Sequence, residues 1–124
     1  MSEPKTLVEM TAEVDTVNVE KGWRDTTPSF LEAMALLHTE VSEAVEAWRR
    51  WGTDDATKLW RTGDHGEPIN AVNPKPEGVG SELADVLIRL LDTCALYGID
   101  LQTEYERKTA YNRTRPHRHG GKRL

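Results

Sequence analysis

The sequence predicts an all-α protein with a four-helix-bundle core that works as an oligomer, and three observations carry that expectation. Apolar residues recur at intervals of three and four over four separate stretches. Ser29 and Glu32 form an S-x-x-E signature that opens the second stretch as a helix. The third stretch is apolar around more than half its circumference, so it needs cover on two sides, from the middle of a bundle or from a second subunit. Composition agrees: 30% charged and 37% apolar residues with few aromatics suit a helix-rich chain better than a β-sandwich. At 124 residues the chain is expected to be one domain, 1–124, with a modest core.

Taken in order, the first helix is expected from about Pro4, suited to a first turn, to Val19, with Leu7, Met10, Val14 and Val17 as its apolar stripe. A break at "EKGWRDTTP" follows. The second helix starts after Pro28 and Ser29, places Phe30, Met34, Leu37, Val41, Ala44, Val45 and Trp48 on one core face, and stops at Gly52. Residues 53–80 hold four of the nine glycines and three of the six prolines, with no sustained period, and are expected to form a long loop. Such loops in small domains often cover a site or an interface. The third helix is expected from Ser81 to Gly98, a C′ glycine. Leu83, Val86, Leu87, Leu90, Cys94 and Tyr97 form its stripe, and Ala84, Ile88, Leu91 and Ala95 widen it. Asp100 caps a fourth helix running to about Asn112, and Pro116 with "HGGK" forbids its continuation into the tail, 113–124.

No run approaches the 18 or more apolar residues of a membrane span. "MSEPKTLVEM" lacks a basic-then-apolar signal pattern, so the expected location is the cytoplasm. Cys94, the single cysteine, can form no internal disulfide and is expected to be a small buried hydrophobe. The net charge of −5 conceals an asymmetry: residues 107–124 carry seven Lys/Arg and no acid, which leaves nine bases against 21 acids in the rest. An acidic body with a basic tail fits either a nucleic-acid contact or cations that meet an anion held at the carboxylates.

"LHTEVSEAVEAW" and "GSELADVLIRLLD" carry the chemistry. Residues three apart are neighbours on a helix, so Glu40 and Glu43 sit side by side, as do Glu82 and Asp85. Both pairs border an apolar stripe. If the second and third helices pack through those stripes, four carboxylates converge along one groove. Like charges so placed are destabilising unless a cation lies between them, and an all-oxygen donor set without Cys suits Mg²⁺, or Mn²⁺ as a substitute, better than zinc. The competing reading is a solvated acidic face. A single E-x-x-E favours that reading, whereas two pairs at two core stripes favour the groove. Glu46 divides evenly between the two readings, His38 is turned to another face, and Asp85 with Arg89 makes a favourable i,i+4 pair.

Lys108 and Asn112 share a face of the fourth helix and Arg115 follows within a turn, a set suited to phosphate oxygens that a metal does not neutralise. Trp23, Trp51 and Trp60 are candidates for stacking on a base, each also an ordinary packing aromatic; Trp48 belongs to the core stripe. Among aromatics the tail region offers only Tyr105 and Tyr111, fewer than a single-strand binder interleaves, which makes nucleic acid the less favoured partner.

The chain resembles the MazG-like family of all-α nucleoside triphosphate pyrophosphohydrolases in "KGWRD" at 21–25, "ALLHTEVSEAVEAWR" at 35–49, "KPEG" at 75–78, "ELADVLIRLLD" at 82–92, "YGIDL" at 97–101 and "KTAYNRTRPHRHGGK" at 108–122. An E-x-x-E, an E-x-x-D and a K-x-x-Y-N segment occur in the family's order. The resemblance implies a four-helix core, dimeric or tetrameric, that hydrolyses (d)NTP to (d)NMP and pyrophosphate with magnesium. By that resemblance Glu40, Glu43, Glu82 and Asp85 match the metal-binding and catalytic acids. Lys108, Asn112 and Arg115 match the phosphate-side residues, and Trp23 lies in the "KGW" segment before the metal helix. The 38 residues between Glu43 and Glu82 exceed what is usual for the family, and the excess lies in "TDDATKLWRTGDHGEPINAVNP". Two other readings compete: a phosphoribosyl-ATP pyrophosphohydrolase on the same scaffold, and a non-catalytic helical module that binds nucleic acid through its tail with a steep salt dependence.

Overall fold

A computed structural model describes residues 3–53, 58–60 and 74–124. Helix dominates them. In chain order they form α1 (Leu7–Glu20), α2 (Phe30–Trp51), the short strands β1 (Lys58–Trp60) and β2 (Lys75–Glu77), α3 (Val79–Tyr97), α4 (Leu101–Thr114) and a single turn, α5 (Arg118–Gly121). The all-α expectation holds for what is described. Among the described residues no helix is long and apolar enough to cross a membrane.

The caps explain where the helices start and stop. At α2 the Ser29 hydroxyl accepts from the Glu32 amide at 3.1 Å while the Glu32 carboxylate accepts from the Ser29 amide, so two otherwise orphaned donors are satisfied reciprocally. The same device opens α1: Thr6 is the N-cap and Glu9 its reciprocal partner. The start at Pro4 is thereby corrected to Leu7, because the side-chain oxygen that closes the first turn belongs to Thr6. Asp100 caps α4 as expected, accepting from the Thr103 amide at 3.1 Å, and these bonds hold its carboxyl below the usual range. Gly98 (φ 64°) follows α3, and the Ile99 amide reaches back to the Cys94 carbonyl at 2.9 Å, the bonding of a Schellman stop.

The expectation of an unbroken loop over 53–80 is corrected at both described ends. β1 and β2 pair antiparallel with Leu59 opposite Pro76, and α3 begins at Val79, two residues before Ser81. Three-residue strands are too short to show a period, which is why turn residues dominated the reading. Residues 54–57 and 61–73 of that expected loop, and the Trp60 side chain, lie outside the described residues.

The chain divides into two compact units, Asp25–Leu90 and Met1–Arg24 with Leu91–Leu124. In the second, Leu91, Thr93 and Cys94 are buried, and burial raises the Cys94 thiol's pKa. A polar set accompanies this core: Asp92 accepts from Asn18 Nδ2 at 2.7 Å and pairs with Arg24 at 2.6 Å, and Arg24 also meets Asp15 at 2.7 Å. Arg24 is buried against its charge, yet its bonds to Asp92 and Asp15 hold its pKa above the ordinary value. Leu7 at the start of α1 donates its amide to Gln102 Oε1 of α4. In the unit Asp25–Leu90, Ala33 and Ala47 are the buried apolar residues of α2. The expected core stripe of α2 is corrected here: Phe30, Val41, Val45 and Trp48 are exposed, Trp48 by 57%. Periodicity reports which face is apolar, not whether the same chain covers it.

Candidate functional site

Four of the acids expected at a groove sit in the unit Asp25–Leu90, on two helices. Glu40 lies in the middle of α2. Glu82 and Asp85 lie in the first turns of α3, near the helix N-terminus, where a negative side chain is favoured by the backbone dipole. One carboxylate oxygen from each of Glu40, Glu82 and Asp85 lies within 4.8 Å of the others, and all three side chains are half-buried. The i,i+3 spacing on α3, with Glu40 of α2 opposite it, therefore brings three of the four acids together. Glu43, one turn after Glu40, is exposed and stands outside that group.

The electrostatics are those of crowded carboxylates. Burial raises the pKa of Glu82, and the charges of Asp85, Glu77, Glu43 and Glu40 raise it further. Burial also raises Asp85, with Glu40 adding to it; a hydrogen bond with Glu82 and the cations Arg89 and Lys75 pull the other way. Arg89 donates from Nε to Glu40 Oε1 at 3.1 Å, so one cation already faces the group. The i,i+4 neighbour expected for Asp85 thus also reaches across to α2. Glu46 is exposed and pairs with Arg49 at 2.7 Å, and it also lines the cavity beside these acids.

A cavity of about 500 Å³ adjoins these acids, within the range of small-molecule sites, and both Glu43 and Glu82 line it. Glu46, Arg49, Arg50, Trp51, Lys75 and Glu77 contribute the rest of its charged and aromatic lining. Sequence reasoning missed Glu77, which it placed in the long loop expected over 53–80. Its side chain is only 9% exposed, and a charged residue so buried beside a Gly at a helix start is the signal that turn composition masked. Arg50 lies over the Trp51 ring at 5.2 Å, a contact that orients both.

The remaining expected residues belong to the unit formed by 1–24 and 91–124. Trp23 is 71% exposed in the turn after α1. Lys108 and Asn112 are exposed on α4, one helical turn apart, and Arg115 caps its C-terminus with its guanidinium 5.7 Å from the Tyr111 ring centre. His38 is exposed on α2, as expected for a surface histidine.

Chemically, three half-buried carboxylates from two helices, with no soft ligand among them, could hold a metal ion through hard oxygen donors. No protein-family model matches the chain, and no curated protein or solved structure proves significantly similar to it.

Proposed function

We propose that the protein is a magnesium-dependent nucleoside triphosphate pyrophosphohydrolase, a MazG-like four-helix core assembled as a homodimer or homotetramer, that converts (d)NTP to (d)NMP and pyrophosphate. One observation supports this above the others: Glu40, Glu82 and Asp85 are brought within 4.8 Å, against burial and mutual repulsion, at the edge of a ligand-sized cavity. Acids on a purely solvated face gain nothing from such crowding. A bound divalent cation relieves it.

When bound, the cation neutralises phosphate charge and makes an attacking water more acidic. Glu40, Glu82 and Asp85 hold it. Glu43, exposed on the cavity wall and free of that group, is placed to take the proton as water adds to the α-phosphorus and the bond to the bridging oxygen breaks. Arg89, bonded to Glu40, orients that carboxylate and balances its charge. Lys108, Asn112 and Arg115 are the phosphate-side residues, and Trp23 is a base platform, by resemblance.

The test is pyrophosphate release from the eight common NTPs and dNTPs and from phosphoribosyl-ATP, each with magnesium and with EDTA. Magnesium-dependent release with monophosphate as co-product from several triphosphates is expected. Turnover of phosphoribosyl-ATP alone assigns the narrower enzyme. No turnover, together with nucleic-acid binding that falls steeply with salt, assigns the tail-binding module.

A further inference from the structure

The cavity beside the acids is lined by charges of both signs: Glu43, Glu46, Glu77 and Glu82, with Arg49, Arg50 and Lys75. Lys75 is on β2, two residues before Glu77, so the two side chains leave the strand on the same side. Its Nζ lies 2.7 Å from Glu77 Oε1. The pair is asymmetric: the Glu77 side chain is 9% exposed and that of Lys75 67%. A carboxylate so far removed from water needs a cation, and Lys75, mostly exposed, also lines the cavity. The ammonium is close enough to Asp85 to oppose the rise in that carboxyl's pKa.

We propose that Lys75, with Arg50 beside it, binds the phosphate chain of the substrate in this cavity, and that the buried Glu77 is the positioning residue that aims Lys75. The inference rests on the reading of Glu40, Glu82 and Asp85 as a divalent-cation site. A polyphosphate held with a divalent cation is a ligand that uses both signs of charge. Its oxygens at one end are balanced by the cation on the acids, and those at the other end by charge-assisted bonds to Lys75 and Arg50. A monovalent anion needs no such length, and a neutral ligand needs no such charge. Without the cation, Glu43 and Glu82 repel the same anion. Binding therefore requires the metal and Lys75 together. This assigns a phosphate-binding role to β2, in the "KPEG" segment that follows the long insert.

The experiment is calorimetry of inorganic pyrophosphate with the full chain, with excess Mg²⁺ and with EDTA. The wild type is compared with Lys75→Ala, Lys75→Arg and Lys108→Ala. We expect metal-dependent binding by the wild type, weakened roughly 10- to 100-fold in Lys75→Ala, the range of one bond to a charged group. Lys75→Arg retains affinity within a few-fold, and Mg²⁺ binding measured without pyrophosphate is unchanged in both. If Lys75→Ala fails to fold because Glu77 is orphaned, the double variant Lys75→Gln with Glu77→Gln removes both charges and loses pyrophosphate binding to the same extent. Wild-type affinity in a folded Lys75 variant, with the loss found in Lys108→Ala instead, overturns the assignment and leaves the enzyme reading standing. No metal-dependent binding of pyrophosphate by the wild type overturns both.

Discussion

Removal from water and neighbouring negative charge both raise the pKa of Glu82 and Asp85. A proton is thus bound more tightly by the folded chain than by the unfolded one. In EDTA, stability declines as pH rises from about 4, the unfolded value, through the folded one, and the full penalty is present above it. Glu82→Gln escapes that decline, so at neutral pH in EDTA it is expected to melt above the wild type. Magnesium reverses the order: at about 100 times its Kd it adds ~2.7 kcal/mol to the wild type, several degrees in Tm, and little to the variant. A thermal scan in which magnesium lifts both equally removes Glu82 from the site. Glu43 makes a different prediction, because it lies on the cavity wall outside the three-carboxylate group. Glu43→Gln is expected to lower kcat by roughly 10²- to 10⁴-fold, the range of general-base catalysis, with Mg²⁺ affinity by calorimetry changed only a few-fold. Equal losses in both measurements make Glu43 a ligand instead. The i,i+3 spacing made Glu40, Glu82 and Asp85 legible in the sequence, since helical geometry converts spacing directly into proximity. Glu77 was not legible: its partnership with Lys75 depends on a strand that no period announces, and its burial depends on tertiary packing.

The elements were legible wherever a local rule decides them. Ser29 with Glu32, Asp100, Gly52 and Gly98 all bound helices as their chemistry demands. Thr6 with Glu9 carried the same box and was overshadowed by Pro4, a weaker signal than a hydroxyl that satisfies an orphan amide. Two substitutions test the caps without touching the cavity. Ser29→Ala is expected to destabilise by about 1 kcal/mol through loss of the bond to the Glu32 amide. At Gly98 a Cβ would meet no atom within 4 Å, so Gly98→Ala acts through the backbone alone, at about 1–2 kcal/mol for an L-residue in the left-handed region. Urea unfolding followed by helical CD measures both; an unchanged midpoint for Gly98→Ala would mean the stop is set by the Ile99–Cys94 bond rather than by the glycine. Where local rules are silent, legibility ended. In the tail, Arg118 and His119 take positive φ without being glycine, a left-handed turn running into Gly120 and Gly121 that no propensity argument predicts.

For the chain as a whole, apolar periodicity and burial disagree, and the disagreement is informative. Among the described residues only Ala33, Ala47, Leu91 and Cys94 are buried apolar side chains, and of these Leu91 alone is large. Meanwhile α2 and the first turns of α3 expose Phe30, Leu31, Val45, Trp48, Leu83 and Ile88. Burying a side chain of this size is worth ~1.5–3 kcal/mol relative to leaving it in water, so several left exposed on one helix pair forgo much of what stabilises a small domain. Scattered apolar residues on a surface need no explanation; runs at helical spacing on both elements that carry the acids do. A second copy supplies matching apolar faces at no cost in charge, because the net charge of the chain is spread over 21 acids and 16 bases rather than concentrated on those stripes. Sedimentation is therefore expected to give a multiple of the 14.0 kDa chain mass, twofold or fourfold. Val45→Glu, which places a charge on the exposed stripe of α2, is expected to shift the protein toward 14.0 kDa, while Glu104→Gln on α4, whose partner is its own neighbour Arg107, leaves the assembly intact. If the wild type already sediments as a single chain at micromolar concentration, the exposed stripes have another occupant and the assembly proposed for this protein is wrong.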